Sequence, residues 1–204
     1  MRTIRSIVIP VCATIVLAAI SAKAEGLSLG SKIPDSTVKM KNVDGKDISI
    51  ADVAGPKGTL VVFTCNHCPF AKAWQSRLVE IGNAYQAKGV GVIAVNPNDP
   101  TSYEEDSYAV MQERVKENGE QFPYVVDGTS NVARDFGASK TPEAFLFDKD
   151  GKLVYHDAID DDRDASKVTK HYLHDALDEL LGGQAVQMSE TKSVGCGIKF
   201  RPKA

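Results

Sequence analysis

Residues 58–70 read GTLVVFTCNHCPF, and no other stretch limits the fold of this chain as tightly. The apolar run that opens it shows no alternation and is short for a helix, which suits a strand buried on both faces of a sheet. It stops at Cys65-Asn66-His67-Cys68-Pro69. Beyond it Phe70, Trp74, Leu78, Ile81 and Tyr85 recur at spacings of three and four and Gly89 follows, so residues 66–87 are expected to form an amphipathic helix. The two cysteines therefore fall at a strand-to-helix seam, where free backbone N–H groups and the positive end of the helix dipole favour an anion.

The rest of the chain alternates in the same way. STVKMKNVDGKDISI reads as a hairpin about Asp44-Gly45, and GVGVIAVNPND as a second buried strand. Ser102 with Glu105 forms a capping-box start for a helix running to about Glu117. FPYVVDG is a strand, TSNVARDFGA a short helix closed by Gly137, and EAFLFDKDGKLVYHDAI two strands about Asp150-Gly151. A last helix is expected from Asp164 to Leu181, ended by Gly182-Gly183. The run DAIDDDRDAS before it reads as a solvated acidic loop. The fold class is α/β: one domain over residues 25–183, a central mixed sheet flanked by helices with an added N-terminal hairpin, then a polar tail over 184–204.

The first 24 residues carry Arg2 and Arg5, an apolar run from Ile7 to Ile20, and Ala22-Lys23-Ala24. That is the pattern of a secretory signal, with cleavage expected after Ala24, and the run is short of the roughly 20 apolar residues that span a bilayer. The expected location is periplasmic or otherwise extracytoplasmic, without stable membrane association after cleavage. A net charge of -3 with interspersed signs gives no footprint for nucleic acid or an anionic membrane surface. Cys12 leaves with the signal. Cys65, Cys68 and Cys196 remain, an odd count for an exported chain, so at least one is unpaired, transiently paired or bound to something.

A thiolate is both the anion that a helix start favours and the nucleophile of thiol–disulfide exchange. The sequence thus assigns Cys65 as nucleophile with a lowered pKa, Cys68 as resolving thiol one turn into the helix, and His67 as a neighbour whose protonated ring stabilises the thiolate. Pro69 sits harmlessly in the first turn. Zinc wants four ligands, and there is one Cys-x-x-Cys with no second pair; His171 and His174 have ligand-like spacing but lie on the last helix. Copper stays open, because thiolates and imidazole suit it. A purely structural cystine between Cys65 and Cys68 would close too small a loop to stabilise much. No cofactor is implied and no metal ligand set is assigned. Asn96 and Asn98 end a strand where turn chemistry explains them, and Trp74 reads as core.

Strand, Cys-x-x-Cys-Pro helix, strand, helix and then SKTPEAFLFDKDGKLV resembles the thioredoxin-like superfamily, in its exported redoxin branch related to alkyl hydroperoxide reductase and thiol-specific antioxidant domains. The resemblance covers roughly Leu29 to Leu181. It implies a thiol–disulfide oxidoreductase acting on protein or small-molecule thiols and disulfides, with a redox partner that recharges the dithiol. It also implies a cis bond at Thr141-Pro142, with Pro142 shaping a substrate groove that Thr141 and Asn66 help to line. Glu143, directly after Pro142, is a candidate proton shuttle to Cys68. There are departures: Thr64 stands where thioredoxin has tryptophan, Asn66-His67 replaces Gly-Pro, and the peroxidase signature Pro-x-x-x-Thr-x-x-Cys is not met. A thiol-dependent peroxidase is therefore the runner-up, followed by a non-enzymatic copper-binding module. Cys196, between glycines in SVGCGIKF, is a candidate third redox thiol if the tail folds back onto Cys65 or Cys68; otherwise it docks through Ile198 and Phe200.

Overall fold

Residues 26–203 are described here from a computed structural model. The expected signal segment, with Cys12, lies outside the described residues. Among the described residues no helix is long and apolar enough to cross a membrane.

Strands β1 (Met40–Asn42) and β2 (Asp47–Ile48) form the expected hairpin, with Gly45 in its turn at φ 88°. β3 (Gly58–Phe63) leads into helix α1 (Pro69–Gln86), which is followed by β4 (Val90–Asn96), α2 (Tyr108–Asn118) and β5 (Tyr124–Val126). Next come α3 (Asn131–Phe136), β6 (Lys140–Thr141), β7 (Glu143–Asp148), β8 (Leu153–Asp157), α4 (Tyr172–Leu181) and β9 (Cys196–Gly197).

β5 pairs in parallel with β4 and antiparallel with β1, while β7 pairs antiparallel with both β3 and β8. β3 runs beside β4: the Lys57 N–H reaches the Gly89 carbonyl at one end and the Thr64 N–H reaches Val95 at the other, 2.9 Å away. The result is one mixed sheet in the order β2-β1-β5-β4-β3-β7-β8, as the α/β reading requires. Every residue of β3 is buried, and alternate residues serve opposite cores. Leu60 and Val62 join Trp74 and Leu78 of α1 and Leu173 and Leu177 of α4 on one face; Val61 and Phe63 meet Phe136 of α3 on the other. A fully buried side chain of this kind stabilises by about 1.5–3 kcal/mol, so β3 is pinned on both sides and its C-terminal end is a fixed platform.

Three helix starts differ from expectation. α1 begins at Pro69, because Cys68 has extended backbone angles (φ -66°, ψ 124°) and proline supplies the first helical residue. Ser102 caps nothing: its N–H bonds Asp99, residues Glu104–Asp106 make a single 3-10 turn, and the helix restarts after Ser107. The acidic loop consumes its own carboxylates, Asp161 accepting from the N–H groups of Thr169 and Lys170 and Asp164 capping a single 3-10 turn (Ala165–Lys167) through the Ser166 N–H, and the α-helix starts only at Tyr172. Trp74 is buried as expected, and its Nε1 donates to Asp160 at 2.6 Å.

Candidate functional site

The tail does not trail from the domain. β9 pairs antiparallel with β6, setting Cys196 opposite Thr141 and Gly197 opposite Lys140. Upstream, the Thr191 N–H bonds the His156 carbonyl and the His156 N–H bonds Ser189 at 2.9 Å. Downstream, the Lys199 N–H donates to Asn98 Oδ1 at 2.8 Å, Asp99 donates back to Lys199 at 2.7 Å, and Arg201 bonds the Asp127 carbonyl at 2.7 Å. Ile198 is buried in the core on the α3 face. Gly195 makes the approach sterically possible, since a Cβ there would lie 2.4 Å from the Thr141 carbonyl oxygen.

That path brings Cys196 to Cys68, and the two form a disulfide with Cα atoms 6.0 Å apart, across 128 residues of sequence. Cys65 is the free thiol. All three cysteines pack together beside Ala71 at the C-terminal end of β3. The Cys65 sulfur is 3.0 Å from Thr141 Oγ1, and the Cys68 sulfur is 3.4 Å from the Thr141 carbonyl oxygen. The Thr141-Pro142 peptide is cis, as the resemblance implies. The tail thus folds back as the third-thiol expectation requires, with Ile198 buried as the docking alternative also expects and Phe200 exposed.

The placement of Cys65 corrects the sequence reading. It was expected as an exposed anion at the helix start, yet it has 0% exposure and lies before the loop, not at the helix. Burial pushes its thiol up to about 11 and the nearby Asp106 carboxylate adds to the rise, against hydrogen bonds from Thr141 and the Cys68 backbone. The position next to the free N–H groups of α1 belongs to Cys68. Pro69 has no N–H, and the Lys72 N–H is taken by the Cys68 carbonyl at 2.9 Å. The N–H groups of Phe70 and Ala71 are then the first-turn donors without an intrahelical partner, though the Cys68 side chain makes no capping bond to them.

The Cys65–Cys68 loop is held by a residue the sequence reading passed over. Asp106, buried, accepts from the Asn66 N–H at 2.6 Å, the His67 N–H at 3.3 Å, His67 Nδ1 at 2.6 Å and Asn98 Nδ2 at 2.8 Å. His67 is also sandwiched on Tyr103, ring centroids 3.9 Å apart, so the imidazole is locked against the carboxylate. Asn66, expected to line a substrate groove, is instead buried and satisfied internally by Arg114, Tyr124 and the Glu105 carbonyl. Thr141, the other expected groove residue, is buried beneath β9. Glu143, the candidate proton shuttle, makes no bond to Cys68: it accepts from the Ser139 and Lys140 N–H groups at 2.8 and 3.1 Å and from His156 Nε2 at 2.9 Å.

Among the described residues two clusters hold donor atoms within 4.8 Å of one another, Cys65–His67–Asp106 and Glu143–His156–Asp157. In both, the carboxylate and imidazole already bond each other. His171 precedes α4 and His174 pairs with Asp178; both line a cavity of about 590 Å³ between α1 and α4 that contains none of the cysteines.

The sequence matches the model of the AhpC/TSA family over residues 29–156, a segment that includes Cys65 and Cys68 and ends before Cys196. It is 29% identical over 133 residues to the thiol-disulfide oxidoreductase ResA of Bacillus anthracis, covering 65% of this chain and 71% of that protein. The ResA of Bacillus subtilis is 27% identical over 136 residues, 67% of this chain and 70% of that one. Among solved structures, an uncharacterized conserved protein from Geobacillus kaustophilus is similar with TM-score 0.81 and 40% identity over 87% of this chain and 94% of that one. A hypothetical protein from Sinorhizobium meliloti 1021 follows at 0.80 and 32%, over 87% and 97%.

Proposed function

The chain belongs to the AhpC/TSA family, and from that premise we propose that it is an exported thiol–disulfide oxidoreductase whose exchange runs through Cys65, Cys68 and Cys196. The observation that carries this reading is the bond between Cys68, at the first turn of α1, and Cys196 on the folded-back tail, with a third thiol packed against both. A sulfur at that helix start is favoured as a thiolate, hence as nucleophile and as leaving group. Cys68 is therefore the helix-start sulfur that attacks, and is expelled from, its disulfide partner, and Cys65 is the inner thiol of the Cys-x-x-Cys pair. His67, fixed by Asp106, holds the loop geometry, and Pro142 shapes the wall behind Cys68. Substrates are thiols or disulfides of proteins or small molecules, and a second redox protein returns the trio to its starting state. Export rests on the Arg2-to-Ala24 segment. The test is disulfide reduction of insulin by the reduced chain: Cys68→Ser abolishes it, whereas Cys65→Ser, which keeps the Cys68–Cys196 pair, retains it. Full activity in Cys68→Ser removes the reading.

A second reading as a thiol peroxidase is favoured by the Cys68-Pro69 helix start with its bonded second thiol. In it, peroxide oxidises the Cys68 thiolate to a sulfenic acid, and Cys196 condenses with that acid to give the disulfide and water. Against it, Cys65 occupies the place three residues before Cys68 where the peroxidase signature has threonine. Stoichiometric peroxide distinguishes the two, because a peroxidase oxidises Cys68 far faster than it oxidises free cysteine.

A further inference from the structure

The Cys68–Cys196 disulfide offers an outside thiol two sulfurs, and they are not equivalent. Cys68 has no exposed surface, and neither has Cys65; Cys196 alone of the three is only partly buried. The products of the two attacks differ as well. Attack on Cys196 expels the thiolate of Cys68, the residue that caps the start of α1, whereas attack on Cys68 expels the thiolate of Cys196, a residue of an extended strand that starts no helix. Exchange is faster when the departing thiolate is the better stabilised one. Access and leaving-group stability therefore select the same sulfur.

The strap also keeps Cys196 in place after the bond is broken. Ser189 and Thr191 bond His156 on one side; on the other, Ile198 bonds the Ser139 carbonyl at 3.1 Å and Lys199 and Arg201 hold Asn98 and Asp127. A thiol tethered this way keeps a high effective concentration at Cys68 without a large motion of the tail.

We propose that Cys196 is the entry sulfur, the atom through which external thiols exchange electrons with Cys68. This rests on reading the cysteine trio as redox-active. An external thiolate attacks the Cys196 sulfur, forming a mixed disulfide there and releasing Cys68 as thiolate. A second external thiolate then attacks the external sulfur of the mixed disulfide, leaving as the external disulfide and releasing Cys196 as thiolate, which takes a proton. Two external thiols are oxidised and one cystine is reduced. In the opposite direction the reduced Cys196 and Cys68 reduce an external disulfide by the reverse steps.

The experiment treats the oxidised chain with substoichiometric glutathione, quenches with acid and then alkylates, and maps the adducts by peptide mass spectrometry. The expected result is glutathione on Cys196 in excess over Cys68 by on the order of tenfold, with Cys68 recovered alkylated. Adducts mainly on Cys68, equal amounts on both, or no adduct overturn the inference while leaving the exchange chemistry of Cys68 intact. Repeating the reaction with Cys65→Ser excludes internal shuffling, and a shift of the adduct to Cys68 in that variant likewise overturns it. A starting protein without the Cys68–Cys196 cystine overturns the underlying reading of the trio instead.

Discussion

Alkylation of Cys65 in the oxidised protein should be slower than that of an ordinary cysteine by a margin calculable from its surroundings. Cys65 has 0% exposure, and its thiol is pushed up to about 11. At about pH 8 a cysteine with a pKa near 8.5 is roughly one-quarter thiolate, while one near 11 is roughly one-thousandth, so charge state alone gives about a two-hundredfold slowing. Burial multiplies this, because the alkylating agent must await an opening of the tail or of the Thr64–Cys68 loop. The assay is iodoacetamide labelling of the oxidised chain followed over time by intact mass, with an unfolded control in the same buffer. Reducing the chain first should leave Cys65 slow, behind both the partly exposed Cys196 and the helix-start Cys68. Labelling of Cys65 within a few-fold of the unfolded control, or Cys65 labelled ahead of Cys68 after reduction, would refute both the burial argument and the exchange of roles between the two cysteines.

Other perturbations have equally specific outcomes. Gly195→Ala places a Cβ against the Thr141 carbonyl, an overpacking cost of about 1–3 kcal/mol; in a thiol redox buffer the Cys68–Cys196 cystine should become easier to reduce by on the order of tenfold. Asp106→Ala leaves the N–H groups of Asn66 and His67 and the side chains of His67 and Asn98 without their shared acceptor. Urea unfolding should show a loss of about 2–4 kcal/mol, and insulin reduction should fall with it. Glu120 is raised to about 7, chiefly by burial. A raised carboxyl favours the folded state in its protonated form, so its contribution is full below the unfolded value and is lost as pH rises through about 7. Glu120→Gln should therefore stabilise the chain above that pH, by about 1–2 kcal/mol in chemical unfolding, and change little under acid conditions. The same sign holds for Cys65: Cys65→Ser should remove part of the stability loss that the native chain shows as pH climbs toward 11.

The elements that position the site were legible because each follows from local pattern. The uninterrupted apolar run of β3, the three-and-four spacing after Phe70 and the turn at Asp150-Gly151 lead to the sheet, α1 and the β7–β8 hairpin, while the cis bond at Thr141-Pro142 follows from the family resemblance alone. The three redox candidates were also named, since an odd thiol count draws attention to Cys196. The burial of Cys65 and the place of Cys68 at the start of α1 were not legible. Helix periodicity locates α1 but not its first residue, and a shift of the helix start from residue 66 to Pro69 moves the anion-stabilising end from Cys65 to Cys68. Asp106 was missed for a different reason. Its partners at Asn66, His67 and Asn98 come from other loops, and the nearby Ser102–Glu105 spacing offered a local helix start that competes poorly with those tertiary bonds. Likewise nothing local pairs Glu143 with His156; only the β7–β8 register brings them together.

The account stands on which sulfurs are joined, and peptide mapping of the air-oxidised chain after acid quenching and alkylation reads that directly. The account predicts Cys68 linked to Cys196 with Cys65 recovered as the free thiol. Recovery of a Cys65–Cys68 cystine with Cys196 free would contradict it.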